Sequence, residues 1–124
     1  MSKVFGVHEP PPYKDYKRDG VLVEKDLSSA QRYGQLVFLL DRTDRPSTMP
    51  GPCLRKLQQG LREFTPSDYL FFPGGDHVGL LLAGSVLRDM GFREVQWLKW
   101  EKERDTRGNL MHGGFYVPVK VILP

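Results

Sequence analysis

The chain has 124 residues, 40% of them hydrophobic and 27% charged, which fits one domain with a single core and excludes a disordered chain. Its 18 Lys and Arg against 15 Asp and Glu leave a net charge of +3, short of the clustered basic surface usual in nucleic-acid binders. A single cysteine, Cys53, rules out an internal disulfide, and no apolar run reaches the length of a membrane span or, in residues 1–12, of a signal peptide. A cytoplasmic protein is expected.

Residues 1–25 read as an extended, proline-rich arm. "VFGV" (4–7) is apolar enough for a short strand, but "HEPPPYKDYKRDG" (8–20) is polar, and Pro10, Pro11 and Pro12 favour a polyproline course. Tyr13 and Tyr16 give the arm aromatic surface, either to lie on the domain or to wrap a partner. The domain proper is expected over 26–124. "DLSSAQRYG" (26–34) predicts a short helix, capped by Asp26 or Ser28, with Leu27 and Ala30 inward and Gly34 at its end. "QLVFLL" (35–40) is nearly all apolar and short, as for a strand buried on both faces. A turn-rich loop leads to Pro52, where a helix can begin, and Leu54, Leu57, Leu61 and Phe64 then form one apolar stripe.

"DYLFFP" (68–73) is a second buried strand. Asp76 to Met90 is a second helix, closed by Gly91, whose apolar residues run nearly all the way round. Such a helix asks for cover on more than one side, and Leu80 and Leu87 are expected to contribute to an interaction surface. "REVQWLKWEK" (93–102) is a third strand. In a fourth, "FYVPVKVIL" (115–123), Phe115, Val117, Val119, Val121 and Leu123 share one face, and Pro118 argues for a sheet edge. The order predicts an α/β fold: a small mixed four-stranded sheet, βαβαββ, with flanking helices, parallel crossovers and a final antiparallel hairpin. Strand orders 2-1-3-4 and 1-2-3-4 both satisfy it.

Chemistry in such a sheet gathers at the carboxyl ends of the parallel strands. Asp41 follows the first of them, and Gly74, Gly75, Asp76 and His77 follow the second, making a candidate ligand-binding loop. "GGDHVGLL" spaces Gly74 and Gly79 as a phosphate loop would, but Leu80 and Leu81 stand where Lys and Ser or Thr are required. Asp76 at the helix start would itself occupy the N–H groups a phosphate needs. No two of His8, His77 and His112 share a metal-ligand spacing, no G-x-S-x-G elbow surrounds a serine, and Cys53 begins an amphipathic helix as a structural thiol. Trp97, Lys99, Trp100, Lys102, Arg104 and Arg107 interleave aromatics with bases, a pattern suited to stacking on single strands. Trp97 and Trp100 differ in strand parity and should face opposite ways.

"DLSSAQRYGQLVFLL", "DYLFFPGGD" and "VQWLKWEK" followed by "FYVPVKV" resemble short α/β proteins encoded in tailed-phage genomes, over roughly residues 26–123. The resemblance implies an α/β fold and a phage origin and brings no known activity and no functional residues. With no complete catalytic motif, the expected function is a non-enzymatic interaction protein that needs no cofactor and acts on a protein partner or on itself. Tyr13, Tyr16, Leu80, Leu87, Trp97 and Trp100 are its candidate surface. Two alternatives remain: a Mg-dependent phosphate- or nucleotide-handling enzyme using Asp41, Asp76 and His77, and a single-stranded nucleic-acid binder.

Overall fold

A computed structural model describes residues 2–123, with the backbone alone for Met111 and His112. Seven strands and three helices follow in the order β1 (Lys3–His8), β2 (Tyr13–Asp15), β3 (Val21–Val23), α1 (Ser28–Gln31), β4 (Gln35–Leu40), α2 (Pro50–Gly60), β5 (Tyr69–Phe71), α3 (His77–Asp89), β6 (Glu94–Arg104) and β7 (Leu110–Ile122). One five-stranded mixed sheet has the order β4-β1-β5-β6-β7, and β2 and β3 form a separate two-stranded ribbon. The first four strands of the sheet are parallel, and β7 returns antiparallel to β6.

The sheet thus has one strand more than expected, because residues 3–8 belong to it. β1 pairs with β4 from Lys3↔Gln35 to His8↔Leu40, and with β5 from Val4↔Tyr69 to Gly6↔Phe71. Residues 4–8 are all buried. The expectation that residues 1–25 form an arm outside the domain is therefore corrected: residues 3–8 are an interior strand of the sheet, and only after His8 does the segment leave it. β4 is an edge strand in which only Leu39 and Leu40 are buried, so the strand covered on both faces is β1 and not 35–40. The four expected strands do keep sequence order, with β1 inserted between the first two.

Alternation along β1 feeds two cores. Phe5 and Val7 face α2 and α3, where Leu40, Leu57, Leu61, Phe64 and Leu87 pack. Val4 faces α1 with Ala30, Phe71, Leu98 and Tyr116. The expected stripe of α2 is the one buried: Leu57 and Leu61 are sealed, and Phe64 stacks between Phe5 and Phe92. The helix itself begins at Pro50, two residues before the expected start. α1 is shorter than expected and has Leu27 rather than Asp26 or Ser28 at its N-cap position; Asp26 accepts from the Ser28 N–H at 2.9 Å from just outside the helix. Asp76 caps α3 through the Val78 N–H at 3.0 Å.

Pro118 lies on β7 at the position of least cost. The Tyr116 N–H donates to Ser29 Oγ and its carbonyl accepts from Tyr33 Oη, both at 3.2 Å, so even-numbered β7 residues turn their backbone groups away from β6. Pro118 shares that parity, and its missing N–H removes nothing from the ladder.

Asp68, also buried, pins the start of β1. It accepts from the Lys3 N–H and the Thr65 N–H, each at 2.8 Å. Replacing it with Ala strands two amide donors inside the protein, so Asp68→Ala is expected to lower stability by about 2–3 kcal/mol in urea unfolding; a change within 0.5 kcal/mol would contradict this role for Asp68 (a bound of about the size seen for inert surface substitutions).

Candidate functional site

The chain leaves β1 towards the α1 face and leaves β5 towards the α2–α3 face. Between those two strands the sheet has a switch point, where open α/β sheets place their ligands. The imidazole of His8, the last residue of β1, closes the bottom of this crevice. Its Nδ1 accepts from the Asp76 N–H at 3.1 Å, and its Nε2 donates to the Asp41 carbonyl at 2.8 Å. The amide can only donate, which sets the tautomer with the proton on Nε2. One buried ring therefore ties together the carboxyl ends of β1, β4 and β5.

The Gly74–Gly75 turn is shaped by that ring. Gly75 has φ +110°, and a Cβ there would stand 2.6 Å from His8 Nδ1. Asp76 is fully engaged: besides capping α3 it accepts from Ser47 Oγ at 2.8 Å and the Ser47 N–H at 2.9 Å. Those bonds, the Ser47 hydroxyl first, hold its carboxyl below the usual range. Asp41 is exposed and occupied within its own loop, by the Thr43 hydroxyl at 2.5 Å and the Thr43 N–H at 2.8 Å. These two bonds, helped by Lys56, bring it down to about 2. Lys56 also reaches Asp44 at 2.8 Å. Asp41 and Asp76 are thus joined through His8 by backbone groups, while their carboxylates accept from different residues of the β4–α2 loop, Thr43 and Ser47. Among the described residues no group of three or more His, Cys, Asp or Glu is arranged to hold a metal ion.

Residues 9–26 form a strap over one side of the crevice. Arg42 anchors both its roots, donating from Nε to the Pro10 carbonyl at 2.9 Å and from its guanidinium to Glu24. Lys25 Nζ donates to the Pro73 carbonyl. Between the roots the β2–β3 ribbon turns at Asp19–Gly20, both at positive φ.

Two grooves open from this framework. The first, about 890 Å³, runs along the α1 side of the switch point between the strap and the far half of the β6–β7 hairpin. It brings together Gly74, Gly75, Tyr13, Trp97 and Trp100 from the expected site residues, and adds Pro10–Pro12, Lys25, Lys102, Gly114 and Tyr116. Trp100 meets the Tyr116 ring at a centroid distance of 4.9 Å, and burial pushes the Tyr116 phenol up to about 12. The second groove, about 630 Å³, lies between α3 and the other face of β6–β7, lined by Leu70, Leu80, Leu81, Val95, Trp97, Val121 and Leu123. His77 stands at its rim, with its ring centroid 5.0 Å from that of Phe72.

Trp97 and Trp100 accordingly point to opposite faces, as their parity requires. Leu87 is corrected: it is fully buried in the core and offers no surface, whereas Leu81, on another side of the same helix, is 76% exposed. Tyr16 is exposed on the single 3-10 turn of the strap, Tyr16–Arg18. Cys53 is buried and its thiol pushed up by that burial, the state of a structural cysteine. The side chain of His112 lies outside the described residues. Sequence reasoning missed His8, whose partners are 33 and 68 residues away, and missed the Asp19–Gly20 turn although Asp-Gly between apolar runs is a hairpin signal.

Comparison with protein families gives a match over residues 2–110 to the family described as phage Pam3 gp32-like protein. The match includes the strap and the first strand as well as the helices. No curated protein and no solved structure matches the chain. Among the described residues no helix is long and apolar enough to cross a membrane.

Two outcomes follow from this geometry. Gly75→Ala places a methyl group against the His8 ring at positive φ and is expected to lower stability by about 1–3 kcal/mol, measured by chemical unfolding. The folded state keeps Asp41 ionised to about pH 2, while an unperturbed carboxyl protonates near 3.8. Unfolding therefore takes up a proton between those values, so the stabilisation is complete above about pH 4 and is lost as the pH falls towards 2. Urea midpoints taken down that range should fall less steeply for Asp41→Asn than for the parent; equal slopes would show that the loop carries no such linkage.

Proposed function

The chain belongs to the phage Pam3 gp32-like protein family, and we propose that it serves the phage as a non-enzymatic binding protein that pairs with a second copy of itself across α3 and the uncovered face of β6–β7. The observation that carries this reading is the apolar groove beside an exposed leucine. Gly79, Ala83, Val86 and Leu87 bury one side of α3. The other side carries Leu81 outward, and next to it the odd-numbered residues of β7, Val119 and Val121 among them, lie 37–38% exposed over Val95 and Trp97. The strap and α1 both lie on the opposite face and leave this side of α3 open.

A twofold interface must match its own surface. This patch carries a protrusion, Leu81, and a recess immediately beside it, so two copies related by a twofold axis place each Leu81 in the other's groove. Gly84 borders the recess and a Cβ there would meet nothing within 4 Å, leaving room for close approach. A stable dimer buries on the order of 800 Å² per partner, which calls for the sheet face together with α3. The phosphate-handling reading has less support, because the carboxylates of Asp41 and Asp76 are already taken up by hydrogen bonds from Thr43 and from Ser47 and Val78.

Light scattering and sedimentation of the full chain test the proposal. The parent is expected to dimerise, and Leu81→Asp to weaken the dimer by about a hundredfold, since a charge would be buried without a partner. The fold should be retained, because exposed positions change stability by only about 0.5 kcal/mol. A parent protein that stays monomeric at high concentration would overturn the reading.

A further inference from the structure

We propose that the first groove is a binding site for single-stranded nucleic acid, with bases stacking on Trp100 and Tyr13 and phosphates met by Lys25 and Lys102. This site is separate from the self-association surface and does not depend on it. Its volume of about 890 Å³ stands at the upper end of the range for ligand sites, about 300–1,000 Å³.

Trp100 is a prepared stacking surface. A Cβ on the cross-strand neighbour Gly114 would lie 2.6 Å from its indole, so the absence of that carbon lets the ring lie directly on the β7 backbone. The edge of Tyr116 meets it from the side. Held in this way, Trp100 still exposes 40% of its surface, and Tyr13 on the strap exposes 49%. Two large rings left open on the walls of one groove are costly in water and useful to an unpaired base, whereas a duplex keeps its base faces inside the stack.

Charge selects the same occupant. The lining includes Lys25, Lys99 and Lys102 against one acid, Asp26. Asp26 turns its carboxylate to the Ser28 N–H, and Lys25 donates to the neutral Pro73 carbonyl. Lys99 shares its charge with Glu101 at 2.5 Å. The opposite groove is mostly apolar and sets one arginine, Arg88, against one acid, Asp89, so it lacks this excess of positive charge. The strap, rooted by Arg42 and Lys25, gives the site a stiff wall in Pro10–Pro12.

Fluorescence anisotropy of a labelled oligothymidylate with the full chain tests this, alongside the tryptophan emission of Trp97→Phe, in which Trp100 is the sole emitter. Binding is expected with quenching of Trp100, and with an affinity that falls about sevenfold between 50 and 200 mM salt for the phosphate contacts of Lys25 and Lys102. Trp100→Ala should weaken binding by about tenfold. The exposed substitution Lys102→Glu, which leaves the core untouched, should weaken it by about fivefold. Leu81→Asp should bind as the parent does, which separates this site from self-association. Absence of binding at low salt, unchanged affinity in both Trp100→Ala and Lys102→Glu, or displacement of the oligonucleotide by polyglutamate as readily as by unlabelled strand would each overturn the proposal, the last in favour of an acidic peptide. Competition by a mononucleotide equal to that of the strand would likewise overturn it.

Discussion

Residues 3–8 hydrogen-bond to a neighbour on both sides, and the rest of the fold is arranged around that placement. A first strand in the middle of a parallel sheet forces the next connection to run one way and the following ones to run the other. Right-handed crossovers then put α1 on one face and α2 and α3 on the other. The strand is held at each end by a buried polar side chain supplied from or directed to another part of the chain: Asp68 takes the Lys3 N–H at its start, and His8 bridges Asp41 and Asp76 at its finish. A parallel strand gains little from local contacts, so these two fixings define its register as much as its apolar residues do. The crevice above His8 is a direct result of the same topology.

Elements whose signals are local were legible in the sequence. The α2 stripe, the Asp76 cap, the β6–β7 hairpin and the edge position of Pro118 each depend on residues within a few positions of one another. The place of "VFGV" was not legible for the opposite reason. Its partners, 35–40 and 69–71, are distant in sequence, and the prolines that follow it drew the whole segment into the arm. Leu81 and Leu87 show a similar limit. Both are leucines on an all-round apolar helix, and only the position of the sheet decides that Leu87 is sealed and Leu81 left in water. The alternating face of β7 was read correctly as a single apolar row. Which layer would cover it was not contained in the row, and no helix covers it.

The two open grooves have one origin. β5 has three residues, whereas β6 and β7 have 11 and 13, so the hairpin projects well past the carboxyl ends of its neighbours. The helices α2 and α3 cover the sheet only as far as the start of β6, where Val95 is buried. One face of the hairpin therefore shows valines and Trp97 to solvent beside α3, while the other bends over the switch point and presents Trp100 towards the strap. Two faces of the same hairpin acquire different chemistry because strand parity sends Val119 and Val121 one way and Tyr116 and Gly114 the other.

Electrostatics separate the two sides further. The N-terminus of α3 points at the switch point and in many α/β proteins would attract a phosphate. Here Asp76 occupies it, satisfied by Val78 and Ser47, and its charge already complements the helix dipole. A second anion at that end would meet a carboxylate that stays ionised well into acid. Positive charge is available instead across the sheet, where Lys25 and Lys102 line the groove beneath the strap. The glycine turn that suggested a phosphate loop thus has a different task. By admitting the His8 ring, it draws β1, β4 and β5 to a common end, and the site that results is built from aromatic faces and lysines rather than from helix amides.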